Sequence, residues 1–333
     1  MVNINISSYR RLHCRICSRI SASSSVKSEK DQKELMETTS YLIYKYIGCL
    51  QSLFAMDKAH KLNLVSINEN DYPVKNIVHE RHVFFLESYI GDAFLYFAKS
   101  CLDAIPRILA IHYPTIFKSK RRTFTAHSDK DMKKFVTELN NFRRINKNLA
   151  DILINCYATW IRFIVNHRDY SAHNGLWISA SLPVLFKPKN KIDYRLCLPS
   201  IEIKKNRYGQ KYFLRNQFNY KGRNGQNKKG DYNTLAAFYF FTHFSLILTY
   251  IVTSLFYELY QIQIKNKLLL QKLENLKQRE ELLSRRFSKP PAHWHIEGYE
   301  EPKEYEAKFR IPEIFKQTES IRQIKNMILP DET

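Results

Sequence analysis

The sequence predicts a mainly α protein, a helical bundle interrupted once by a small, basic, strand-rich insertion. Three observations lead there. Glycine is scarce, 8 in 333 residues, roughly a third of its usual share of about 7 %, which disfavours turn-dense all-β folds. Hydrophobic residues make up 44 % and aromatics 14 %, enough to bury a core and to exclude wholesale disorder. Long stretches repeat apolar residues at three- and four-residue steps, the period of one helix face.

Taken in order, residues 1–30 read as a flexible basic N-terminal arm, because residues 1–28 are rich in Arg and Ser and hold no acid. Their composition also loosely resembles an organellar transit peptide. From Asp31 to Lys61 the spacing of Leu35, Leu42, Tyr46, Leu50 and Leu53 predicts a helix. A loop with Asn68, Asn70 and Pro73 follows. A second helix is expected from about Val74 to Ala104, with Pro106 kinking or ending it. Lys118 to Arg122 forms a basic turn. Ser128, Asp129 and Asp131 open a third helical stretch, which pauses around Arg144 to Asn148 and resumes as an apolar helix to about His167. The bundle so far spans residues 31–177.

Residues 178–230 differ in texture. They hold 13 Lys+Arg against two acids, Asp193 and Glu202, which is +11 of the chain's formal +21. Alternating runs at Trp177–Phe186, Tyr194–Ile203 and Lys211–Phe218 suggest short strands, with a hairpin turn at Asn206–Gln210 around Gly209. One long helix, within 231–289, then completes the bundle until Pro290-Pro291 stops it. The tail 290–333, net acidic, is expected to pack back on the body.

The charge asks for a polyanionic partner. In the insertion, Tyr and Phe rings interleave with Lys204, Lys205, Arg207, Lys211, Arg215 and Arg223. Stacking rings beside phosphate-pairing cations are how single strands are held; the alternative is an edge hairpin kept soluble by its lysines. Arg121 and Arg122 in the basic turn join the candidate RNA contacts.

Other signals exclude or demote classes. No phosphate-cradling glycine loop and no Gly-x-Ser-x-Gly elbow is present. His13-Cys14-x-x-Cys17 has metal-ligand spacing but no second pair at finger distance, and His79 with His82 has no carboxylate pattern beside it. No metal or cofactor is expected. Six scattered cysteines without a secretory leader suggest a reducing cytoplasm. The 24 residues 234–257 contain no Asp, Glu, Lys or Arg, enough to cross a bilayer. Yet Thr242, Ser245, Thr249 and Thr253 form a polar stripe, with His243 added, which suits a central bundle helix better than lipid. A membrane-associated protein using 234–257 remains an alternative.

The stretch that carries chemistry is Asn166-His167-Arg168-Asp169-Tyr170-Ser171-Ala172-His173-Asn174-Gly175. Histidine serves as base or acid at neutral pH, and the fixed fork of arginine matches phosphate oxygens. Together they suit RNA cleavage by attack of a ribose 2′-OH on its own phosphate. One histidine cannot be base and acid at once, so two copies of the motif, most simply in a homodimer, would complete a site. Asp169 would orient the arginine or the imidazole, or is an ordinary exposed carboxylate; Asn166, His167 and Asn174 are candidate supporting groups.

This decapeptide resembles the signature of the HEPN superfamily, helical proteins many of which are RNases: Arg, four to six residues, then His, with Asn, Asp or His after Arg. Six Arg/His pairs in the chain have the spacing, and only Arg168 is followed by one of those residues. The resemblance implies a HEPN-like bundle, a metal-independent endoribonuclease with Arg168, Asp169 and His173 at its site, and a toxin–antitoxin or anti-phage setting with an antitoxin or defence-system partner. A non-catalytic HEPN-like module binding nucleic acid or a nucleotide is the alternative. On an unbroken helix, positions i and i+5 lie about 140° apart. Arg168 and His173 therefore meet only if the helix breaks between them or across a dimer. Otherwise they are a surface arginine and a histidine favouring a helix C-terminus.

Overall fold

The computed structural model describes residues 6–22, 28–66, 85–118, 123–124, 129–157, 161–174, 182–186, 193–197, 215–221, 227–233, 237–264 and 267–286. The fold is mainly α. Its helices are α1 (Ile6–Ser21), α2 (Glu29–Ser66), α3 (Phe85–His112), α4 (Asp129–Phe142), α5 (Lys147–Cys156), α6 (Arg162–Asn174), α7 (Ala237–Tyr260) and α8 (Lys267–Arg286).

The basic N-terminal stretch is not a free arm. Residues 6–21 form α1, and Ile16 and Ile20 are fully buried where it packs on α2 and α7. Its Arg and Ser residues hid an amphipathic helix whose apolar side needs only a few isoleucines. α2 begins where Ser28 Oγ accepts the Asp31 N–H at 3.0 Å, an N-cap that satisfies one of the orphan donors of the first turn.

α2 and α3 share the broadest helix contact, and a glycine sets their approach. A Cβ on Gly48 would fall 2.7 Å from the Phe97 ring. In most helices Gly→Ala is stabilising by about 1 kcal/mol. Here Gly48→Ala is expected to lower stability by about 1–3 kcal/mol through overpacking, read as a drop in the urea midpoint.

α3 does not end at Pro106. It runs on to His112 with the proline inside. Proline inside a helix costs about 3 kcal/mol, but Ile105, Ile108, Leu109 and Ile111 are all buried around it, and that packing outweighs the lost backbone bond. The expected start of this helix, 74–84, lies outside the described residues, as do His79 and His82.

The stretch after residue 128 divides as α4, a turn, and α5, with Asn146 accepting the Leu149 N–H as N-cap. Helix then extends past His167 to Asn174 as α6. Between α6 and α7 the described backbone forms two antiparallel ribbons. β1 (Leu182–Phe186) pairs with β2 (Asp193–Cys197), Leu182 opposite Cys197; β3 (Arg215–Lys221) pairs with β4 (Asn227–Asn233), Arg215 opposite Asn233. The Asn206–Gln210 turn lies outside the described residues.

α7 is the central helix and touches α1, α2, α3, α5 and α8. Phe94 stacks on Phe241 at 4.4 Å, and Phe244 meets Phe94 edge-on at 6.3 Å. Phe240–Tyr260 is long and apolar enough to cross a membrane, but 94 % of that window is buried inside the protein. The three threonines of the polar stripe are absorbed locally. Thr242, Thr249 and Thr253 each donate to the carbonyl four residues back, and Tyr46 Oη lies 2.9 Å from Thr249 Oγ1.

The single long helix expected within 231–289 is two helices. α7 stops at Tyr260, and Gln261 takes the left-handed φ of 53°. The Gln261 N–H donates to the Tyr257 carbonyl, the 5→1 bond of an αL ending, and the Ile262 N–H reaches the Phe256 carbonyl, with Ile262 buried beneath it. Such an ending ordinarily announces itself with glycine, and none is here. Gln261→Gly should therefore raise stability by about 1 kcal/mol, measured as a higher denaturation midpoint. The tail 290–333 lies outside the described residues.

Candidate functional site

α6 is held in the bundle on two sides. Ile161, Ile164 and Val165 are buried. His167 is fully buried too, its ring 6.3 Å from Phe240 of α7. Burial pushes its pKa down to about 3, so His167 is neutral at physiological pH and serves packing between α6 and α7 rather than proton transfer.

Arg168 lies toward solvent, with its side chain 36 % exposed, and its Nη1 donates to Asp169 Oδ1 at 3.0 Å. The pair is sequence-adjacent and locally neutral, so Asp169 holds the guanidinium in place and competes with any incoming phosphate. One turn on, Ser171 Oγ donates to Asp92 Oδ1 of α3.

A charged cluster that sequence reasoning missed supports this seam. Asp103 on α3 takes Lys99 Nζ on one oxygen and the Phe124 N–H, at 3.0 Å, on the other. Burial pushes its carboxyl up; Lys99, the Phe124 N–H and the Arg168 charge pull the other way. Asp103 thereby ties the segment after the basic turn to the helix facing Arg168. The signal was present as Lys99-x-x-x-Asp103, an i,i+4 pair inside an apolar helix, where charges are kept only when paired.

α6 is continuous from Arg162 to Asn174, so no break lies between Arg168 and His173. The two positions stay about 140° apart around the axis. The side chains of Asn166, His173 and Asn174 lie outside the described residues. So do Arg121, Arg122, Lys204, Lys205, Arg207, Lys211 and Arg223; Arg215 is described only by its backbone, at the start of β3.

His13 and Cys17 approach on α1, Sγ to Nε2 3.5 Å, but the imidazole also meets Ser40 Oγ of α2, and burial pushes the Cys17 thiol up. Among the described residues no group of three or more His, Cys, Asp or Glu gathers as a metal cage. Compared with known proteins, the chain matches no family model, no curated sequence and no solved structure.

Proposed function

We propose that the chain is a HEPN-like endoribonuclease working as a homodimer, in which two copies of α6 complete one site. The observation that carries this reading is the unbroken α6 with Arg168 on its solvent side. On that helix the two positions lie about 140° apart around the axis, which is why a second copy is proposed to supply the partner group.

In the proposed reaction the neutral His173 of one copy removes the proton from a ribose 2′-OH. The freed oxygen bonds to phosphorus, and Arg168 neutralises the charge of the resulting phosphorane. The second His173, protonated, donates to the departing 5′-oxygen, so the P–O5′ bond breaks and the strand ends in a 2′,3′-cyclic phosphate and a 5′-hydroxyl. The first histidine leaves protonated and the second neutral, so protons balance. The basic residues of 178–230 and of Lys118–Arg122 would hold the strand. The test is incubation of the purified chain with RNA in EDTA: cleavage giving cyclic-phosphate ends is expected, and intact RNA across diverse sequences would overturn the reading.

The Arg168–Asp169 pair favours a second reading, a HEPN-like module that binds nucleic acid without cutting it. A guanidinium whose charge a carboxylate already offsets stabilises a phosphorane less. Salt-dependent binding without cleavage would select it.

A further inference from the structure

The α2–α3 pair carries an exposed aromatic surface made of residues other than those of the α6 motif. Tyr41 and Tyr44 on α2 and Tyr96 on α3 are 44, 62 and 49 % exposed. They surround Lys45, whose Nζ lies 5.0, 5.4 and 4.5 Å from their ring centroids and 5.2 Å from that of Phe97. Phe97 sets the wall, meeting Tyr44 and Tyr96 edge-on at 82° and 64°, and it reaches this position only because Gly48 beside it has no side chain.

Lys45 is only 7 % exposed. An ammonium has three donors; among the described residues its one hydrogen bond is to Tyr96 Oη at 3.5 Å and no carboxylate pairs with it. Ring faces attract a cation, by about 0.5–2 kcal/mol each, but they do not accept its hydrogen bonds as an anion would. A nearly buried, under-satisfied cation therefore underlies three exposed flat rings. An apolar partner would leave that charge uncompensated. A nucleotide strand matches both parts: bases stack on the rings, and a phosphate oxygen takes the ammonium. The +21 charge of the chain favours the same occupant.

We propose that Tyr41, Tyr44 and Tyr96, with Lys45 at their floor, form a platform for single-stranded RNA. The inference rests on the RNA reading for the identity of the strand, but binding here needs neither Arg168 nor His173.

The experiment uses the full chain carrying His173→Ala, so the strand survives, and a fluorescent single-stranded oligouridylate read by polarisation. Tyr41→Ala and Tyr44→Ala are each expected to weaken binding about tenfold or more, the effect of losing one stacked base. Tyr44→Phe, which keeps the ring, should retain binding. Lys45→Met should weaken it and reduce the salt slope by about one ion. Duplex RNA, whose bases are already stacked, should not report the tyrosine changes. Circular dichroism and thermal midpoints identify any variant that loses its fold, and the exposed tyrosines are chosen to keep it.

Unchanged affinity in the folded Tyr41→Ala/Tyr44→Ala double variant would overturn the platform. So would loss of self-association with RNA binding intact, which would assign the surface to a second copy. Normal binding by the tyrosine variants in a chain whose wild type cleaves RNA sinks the platform alone. Absent cleavage with tyrosine-dependent binding sinks the nuclease reading alone.

Discussion

His173→Ala is expected to lower RNA cleavage by about two to four orders of magnitude, the range removed with a proton-transfer group. Arg168→Ala should fall by a comparable two to three orders, because it removes the cation facing the phosphorane. The dimer adds a sharper requirement. If each site uses both copies of His173, mixing wild-type chain with His173→Ala chain at fixed total concentration should reduce activity as the square of the wild-type fraction. Equal parts would leave about a quarter of the rate in a two-fold symmetric pair. A linear decline to one half would show that each chain cuts alone, and full activity in His173→Ala itself would remove the proposed site. Asp169→Asn should separate the two readings further. It releases Arg168 from its 3.0 Å partner, so binding tightens if the guanidinium is only a contact, whereas cleavage falls if Asp169 orients a catalytic arginine.

Mild acid is expected to unfold the bundle, through three buried histidines. Burial pushes His112 down to about 4 and His167 to about 3, and it holds His243 well below its ordinary value, with Lys277 adding to the effect. In the unfolded chain each titrates near 6.5. Between the folded and unfolded values the unfolded chain binds more protons, so stability rises with pH there. The contribution is fully present above about pH 6.5 and is lost as pH falls toward the folded values. Each histidine then loses up to about 1.4 kcal/mol per pH unit. At pH 5 the three together approach about 6 kcal/mol, comparable with the whole stability of many domains.

Two carboxylates modify this at lower pH. Asp57 is held low by Lys61 and Arg279 despite its burial, and its support is lost as pH falls below the ordinary carboxylate range. Asp103, pushed up by burial, works in the opposite sense. Urea midpoints at pH 7.5 and 5.0 check the prediction, and His167→Leu should remove about a third of the slope between them. Equal midpoints at the two pH values would contradict it.

These results divide according to the range over which each feature is decided. Apolar periodicity in α2, the Asp129 start of α4 and the placing of α7 as a core helix were legible, because the helix period is a local property. The end of α7 was not, because Gln261 adopts a conformation that glycine usually signals. The α1 helix was missed because its charge outnumbers the few isoleucines that bury it. Of the two outcomes open at Pro106, an end to the helix did not occur, because propensity is a weak prior against dense packing.

The candidate site shows the same division. The sequence by itself determined the Arg168-Asp169-x-x-x-His173 order, the excess of positive charge and the Lys99/Asp103 spacing, since all are covalent facts within a few residues. The tertiary structure alone decided that α6 runs unbroken through the motif, that Arg168 is already paired while His167 is sealed against Phe240, and that Lys45 sits beneath rings from two helices. Those outcomes depend on which faces of distant helices meet and on how much water they exclude, and no local spacing encodes either.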